Sequence, residues 1–172
     1  MSNLAIEIKN LTKSYGEVQA LKGVDISIKK GEFFGLLGPN GAGKTTTINI
    51  LTGLVFKGGG STKVFGRDTI KDFRFTRSQI GIAAQEFSVD WFFPIEKLLF
   101  FQAGYYGIKA KDAKPTIDSL LDRLGLSSKR NSRLRQLSGG MKRRFQIAKA
   151  LVHDPEILIL DEPTAGVDVE LR

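Results

Sequence analysis

The residues Gly38-Pro39-Asn40-Gly41-Ala42-Gly43-Lys44-Thr45 carry the types and spacing of a phosphate cradle. Gly38, Gly41 and Gly43 let the backbone turn tightly, so that successive N–H groups, that of Asn40 among them, point inward at anionic oxygens where a helix begins. Lys44 then reaches the β- and γ-phosphates of a nucleoside triphosphate, the Thr45 hydroxyl is offered to Mg²⁺, and Thr46 meets the α-phosphate. Far along the chain, the apolar run Ile157 to Leu160 leads into Asp161-Glu162-Pro163. A carboxylate at the end of such a strand holds Mg²⁺ in a P-loop fold, usually through a water. The neighbouring Glu162 is the candidate general base, free to orient and deprotonate an attacking water while the metal neutralises Asp161.

A third motif lies between these two, Leu137-Ser138-Gly139-Gly140-Met141. Ser138 offers a hydroxyl, Gly139 and Gly140 offer bare N–H groups, and the helix that follows adds its positive end. The phosphate loop alone is shared by kinases, GTPases and motors. The Ser-Gly-Gly turn narrows that choice.

The elements that must position these groups follow from hydrophobic patterning. Leu4, Ile6 and Ile8 alternate with polar or small residues, as do Val24, Ile26 and Ile28, which predicts two half-exposed strands and an antiparallel sheet at the N-terminal side. Phe33-Phe34-Gly35-Leu36-Leu37 is apolar throughout and predicts a strand buried on both faces that delivers the chain into the loop. Ile48, Ile50 and Leu51 continue on helical spacing after Thr45. The glycines at 58, 59 and 60 mark a loop before a short strand around Lys63 to Phe65, and Ile80 to Ala84 reads as another strand, ending at Gln85. Pro115 is expected at the first turn of a helix whose face carries Ile117, Leu120, Leu121 and Leu124 and which stops at Gly125. Ser138 is expected to cap a helix bearing Phe145, Ala148, Leu151 and Val152, closed by Asp154-Pro155.

Composition bounds the classes that remain. A chain of 172 residues suffices for one packed domain and is short for two. Its apolar runs are far below the ~20 residues of a membrane-spanning helix, and residues 1–10 have no apolar core of the kind a secretory signal requires. With no cysteine there is neither a disulfide framework nor a thiolate zinc site, and a cytosolic location is expected. The net charge of +8 is local: between Lys129 and Lys149 lie eight basic residues and no acidic one, and elsewhere 18 basic residues balance 18 acidic ones. Such a window suits nucleic acid, a membrane surface or an anionic ligand, or is a solvated helix face. Eight of the 16 aromatic residues fall between Phe87 and Tyr106, as a local core or a docking surface.

With these residues assembled, the chain resembles the ATP-binding subunits of ABC transporters over essentially its whole length, most specifically in Leu137-Ser138-Gly139-Gly140. The resemblance implies an α/β fold: a P-loop NTPase core with an N-terminal antiparallel β subdomain (residues 1–86 and 139–172) and an inserted α-helical subdomain (87–138), incomplete at the C-terminus. It implies ATP and Mg²⁺ as ligands and a homodimer with composite sites, in which Ser138, Gly139 and Gly140 bind the γ-phosphate held by the other copy's loop. Tyr15 matches the aromatic that stacks on adenine, although packing is its alternative role. Gln85 matches a glutamine that senses Mg²⁺ and faces a transmembrane permease, and Asp168 a loop that crosses to the other copy. The stretch from Trp91 to Tyr106 would lie near the groove that receives a cytoplasmic helix of the permease.

Met141 followed by Lys142-Arg143-Arg144 resembles the exporter branch called ABC-2. The family's switch histidine lies downstream of the general base, whereas His153 precedes it and aligns with a helix C-terminus. A truncated product is therefore expected, with weak hydrolysis and with either a gap or a swapped segment between the Phe33–Leu37 and Ile157–Leu160 strands. The expected role is ATP-driven export from the inner face of the cell membrane, as a peripheral cytoplasmic subunit that does not bind nucleic acid. The alternatives are a soluble ABC ATPase acting on nucleic acid or the ribosome, and a regulator that binds nucleotide without turnover.

Overall fold

The computed structural model describes residues 3–84 and 92–161. The chain divides into two compact units, Met1–Gln79 and Ile80–Arg172.

The first unit is built on a long hairpin, β1 (Leu4–Tyr15) and β2 (Val18–Lys29), closed by a two-residue turn at Gly16 and Glu17. The alternation seen in sequence sets its register: Ile6 faces Ile28, Ile8 faces Ile26 and Leu11 faces Val24. Both strands run well beyond the predicted stretches. β3 (Gly59–Val64) lies antiparallel on the other side of β1, with β4 (Arg67–Asp68) outermost, so the sheet order is β2-β1-β3-β4. Being central, β1 buries Ile6, Ile8 and Leu11 almost completely, whereas Val24, Ile26 and Ile28 of the edge strand β2 are half-buried. Each large apolar side chain so buried contributes about 1.5–3 kcal/mol. The helices α1 (Lys44–Leu51) and α2 (Phe73–Ser78) complete this unit.

One expectation fails here. Residues Phe33 to Leu37 form no strand, and Phe33 and Leu37 are 101% and 92% exposed. A strand buried on both faces needs a ladder partner and cover above and below. Among the described residues this segment pairs with no strand, so its apolar composition by itself does not make it one.

In the second unit, β5 (Ile80–Ala83) pairs in parallel with β6 (Ile157–Leu160), Ile80 opposite Ile157 and Ala83 opposite Leu160. The helix α5 (Gly139–Leu151) packs on β5, and α3 (Ile95–Tyr105) and α4 (Ala110–Arg123) pack on α5 and on each other. Phe145, Ile95, Leu99, Ile117, Leu121, Leu126 and Leu134 are fully buried where these helices meet. Gly125, at φ +62, ends α4 as expected. The start of α4 differs from expectation, because it begins at Ala110 and carries Pro115 inside. The missing N–H of Pro115 costs one backbone bond, and the buried face of Ala113, Ile117, Leu120 and Leu121 offsets that loss. The aromatic stretch is divided between core and surface. Phe93 and Phe100 pack against the core, while Phe101 and Tyr105 are 41% and 84% exposed. Phe87 and Trp91 lie outside the described residues. Among the described residues no helix is long and apolar enough to cross a membrane.

Candidate functional site

The phosphate loop leads directly into α1, whose N-cap is Gly43. Gly41 and Gly43 hold φ values of +82 and +86, a backbone that residues with a Cβ rarely adopt. Gly43 is also sterically required, since a Cβ there would collide with the Leu21 side chain and lie 2.8 Å from the Ala20 carbonyl of β2. The loop is thus pressed onto the hairpin that positions it. Lys44 Nζ donates to the carbonyls of Gly38 (2.6 Å) and Pro39 (2.9 Å), which holds the ammonium across the loop. Thr47 anchors the first turn of α1, its N–H and its hydroxyl both donating to the Gly43 carbonyl at 2.8 and 2.9 Å. Thr45 is exposed and Thr46 half-buried, and no acidic residue stands in the first turn to compete with an anion.

These features fit a polyphosphate: a fixed cation, bare N–H groups and the positive end of a helix converge on an exposed loop. Tyr15 closes β1, 48% exposed, with Lys13 Nζ 5.1 Å from its ring centroid. Gly38, Asn40, Gly41, Gly43, Lys44, Thr45, Thr46 and Tyr15 all belong to the first unit.

The second unit carries the other motifs. Leu137 is buried at 5% exposure, while Ser138, Gly139 and Gly140 that follow it are exposed. The core therefore anchors the turn by its leucine and presents the rest. Ser138 caps α5, its Oγ accepting from the Met141 N–H at 3.3 Å. Asp161 follows β6 directly, and its N–H donates to the Ala83 carbonyl at 3.1 Å, which prolongs the parallel ladder by one rung. Asp161 as a residue is half-buried. Among the described residues no cluster of three or more His, Cys, Asp or Glu could hold a metal ion by itself. Gln85, Glu162 and Asp168 lie outside the described residues.

Several basic residues of the window are taken up within the fold. Arg130 pairs with Asp118 at 2.8 Å and Glu96 at 3.4 Å. Hydrogen bonds from Lys114 and then Arg130 hold the Asp118 carboxyl below the usual carboxylate range. Arg144 Nη1 donates to the Leu124 carbonyl at 2.8 Å. Lys149 is pushed below the usual lysine range by burial. Arg143 donates to backbone carbonyls at the ends of β5 and β6. Sequence reasoning placed these residues in a charge run and missed their individual roles. The signal available for Arg143 was Gln146 one turn later on the same helix, a polar residue that is buried.

Comparison with known proteins follows the same lines. The profile of the family described as ABC transporter matches residues 21–165. The Nod factor export ATP-binding protein I of Paraburkholderia xenovorans (strain LB400) is 40% identical over 172 residues, which cover 100% of this chain and 57% of that protein. The linearmycin resistance ATP-binding protein LnrL of Bacillus subtilis (strain 168) is 41% identical over 167 residues, 97% of this chain and 54% of that one. Among solved structures, an ATP binding subunit of an ABC transporter matches with a TM-score of 0.84 at 28% identity, over 94% of this chain and 68% of that one. The cbiO1 protein from Clostridium perfringens, part of the ABC transporter complex cbiONQ, matches with 0.83 at 30% identity, over 97% and 68%. The chain spans little more than half the length of the curated relatives it matches.

Proposed function

The chain belongs to the ABC transporter family, and from that membership we propose that it is the ATP-binding and ATP-hydrolysing part of an exporter's ATPase subunit. The observation that carries the reading is the family match over residues 21–165, which takes in the phosphate loop, the Ser138-Gly139-Gly140 turn and Asp161 together. The similarity to two proteins named for export and for resistance supports the outward direction.

In this reading Lys44 and the loop N–H groups hold the β- and γ-phosphates of ATP, and the Tyr15 ring stacks on the adenine. Thr45, Asp161 and Gln85 would hold Mg²⁺, which supplies positive charge against the phosphate oxygens when bound. Glu162 accepts the proton of the attacking water. Ser138, Gly139 and Gly140 donate to the γ-phosphate of the nucleotide on a second copy, and Asp168 helps to align it, so that two copies close on two ATP molecules. Closure is the step passed to a membrane permease, with exposed Phe101 and Tyr105 offered to that partner and the chain held at the inner face of the membrane. Residues 87–138 then form the helical subdomain and the remainder the nucleotide-binding core.

The test is to tag the complete gene product in its own cell, solubilise the membranes gently and identify what copurifies. A multi-spanning membrane protein in near-equal amount is expected. Recovery of nucleic acid or ribosomes with no membrane protein would overturn the reading in favour of a soluble ATPase.

A further inference from the structure

Two parallel strands end side by side at β5 and β6, and a single guanidinium spans their carboxyl ends. Arg143 Nη1 donates to the Ala84 carbonyl at 3.0 Å and to the Ala83 carbonyl at 3.5 Å, and Nη2 donates to the Asp161 carbonyl at 3.1 Å. The fork is itself oriented, because Nη1 also donates to Oε1 of Gln146 at 3.0 Å, and Gln146 is 6% exposed. The Ala84 and Asp161 carbonyls lie just past the last paired residues of the two strands, and a planar group with five donors can serve several carbonyls at once. A lysine, with a single point of charge, cannot bridge the two strands in the same way.

We propose that Arg143 is a positioning residue for ATP hydrolysis: by clamping the Ala84 and Asp161 carbonyls it fixes the backbone at the ends of β5 and β6, and with it the Asp161 carboxylate. The proposal rests on the functional reading above, which gives Asp161 its work. The clamp reaches further through its helix. Arg143 stands five residues after Ser138 on α5, so the turn offered to the second copy's nucleotide and the clamp on this copy's Asp161 share one rigid element. A displacement of the order of 1 Å at a reacting group suffices to cost about a hundredfold in rate. The chain direction at Asp161 is therefore a quantity worth fixing with a charged fork.

The experiment uses the complete gene product and compares wild type with Arg143→Gln and Arg143→Lys, reading kcat and KM for MgATP together with the thermal midpoint. Arg143→Gln is expected to lower kcat by about ten- to a hundredfold while KM stays within about twofold, because nucleotide binding belongs to the loop and only the chemical step loses its alignment. Arg143→Lys, which keeps the charge and loses the fork, is expected to fall between the two. A folded Arg143→Gln protein with kcat within about twofold of wild type would overturn the proposal. So would a loss of kcat matched by an equal loss of folded protein, the mark of a purely structural contact. Should Arg143→Gln fail to fold, Arg143→Lys decides, and wild-type kcat in that variant overturns the proposal. A wild type without ATPase activity sinks the site reading and this proposal together, whereas an active wild type beside an equally active variant sinks this proposal alone.

Discussion

The Tyr106 and His153 rings stack face to face, with centroids 3.6 Å apart and planes 3° from parallel. The contact joins the end of α3 to the end of α5. His153 Nε2 lies 3.1 Å from the Ile80 carbonyl, which can only accept, so Nε2 carries the proton. Nδ1 is then the bare nitrogen, buried and with no hydrogen-bond partner among the described residues. Protonating it would create a buried N–H without an acceptor. Burial accordingly pushes the imidazole below its ordinary value, against the weaker upward pulls of the Ile80 hydrogen bond and the Asp154 carboxylate.

A pH dependence of stability follows from this relationship. The unfolded ring takes up its proton near the usual value of about 6.5, and the folded ring only at lower pH. Between those two values the unfolded state binds more protons, so the stabilisation is full above about pH 6.5 and declines as the pH falls through that window. Thermal midpoints of wild type and His153→Phe between pH 7.5 and pH 5.5 provide the check. Wild type is expected to lose more on acidification, because the variant keeps the stack and cannot titrate. Parallel slopes would remove His153 as the cause.

Lys44 holds its ammonium against the Gly38 and Pro39 carbonyls on an exposed loop, so its removal should be felt by the ligand more than by the fold. Lys44→Ala is expected to weaken MgATP binding by roughly ten- to a hundredfold, the loss of charge-assisted hydrogen bonds. Titration calorimetry measures it. An unchanged affinity would show that the loop does not receive the phosphates.

Gly81 lies in β5 beneath the C-terminal end of α5. A Cβ there would collide with the Ala150 carbonyl and lie 2.8 Å from the Pro155 ring. Because a carbonyl and a proline ring cannot swing aside, Gly81→Ala should cost about 1–3 kcal/mol. The urea midpoint of the variant decides it, and a wild-type midpoint would mean that α5 sits further from the strand.

For Glu162 the expectation concerns turnover. If it is the base that deprotonates the attacking water, Glu162→Gln should bind ATP and fail to release the closed dimer. Sizing in the presence of MgATP should show a long-lived dimer for the variant and a transient one for wild type. Equal lifetimes would favour a nucleotide-binding regulator over an enzyme.

Much of the candidate site was legible because it is written over short spans. Gly38 to Thr45 is contiguous, and the positive φ values of Gly41 and Gly43 and the reach of Lys44 back to Gly38 are settled within eight residues. The same holds for Ser138 capping its own helix through Met141. The hairpin was legible for a related reason, since period-two alternation states which face is buried whatever the partner.

By itself, then, the sequence determined the local geometry of the phosphate loop and of the Ser138 cap and the type of most elements, because spacing along the backbone governs both. Tertiary structure decided what depends on partners distant in the chain. Phe33 to Leu37 is as apolar as Ile157 to Leu160, yet the latter became a strand because Ile80 to Ala83 lies alongside to take its hydrogen bonds. Pro115 sits inside α4 because the apolar face of that helix is buried against α3 and α5. Arg130, Arg143 and Arg144 look alike in a run of positive charge. Each received a separate task from the carboxylates or carbonyls that folding brought to it, since charge is a property of the residue and its partner is a property of the fold.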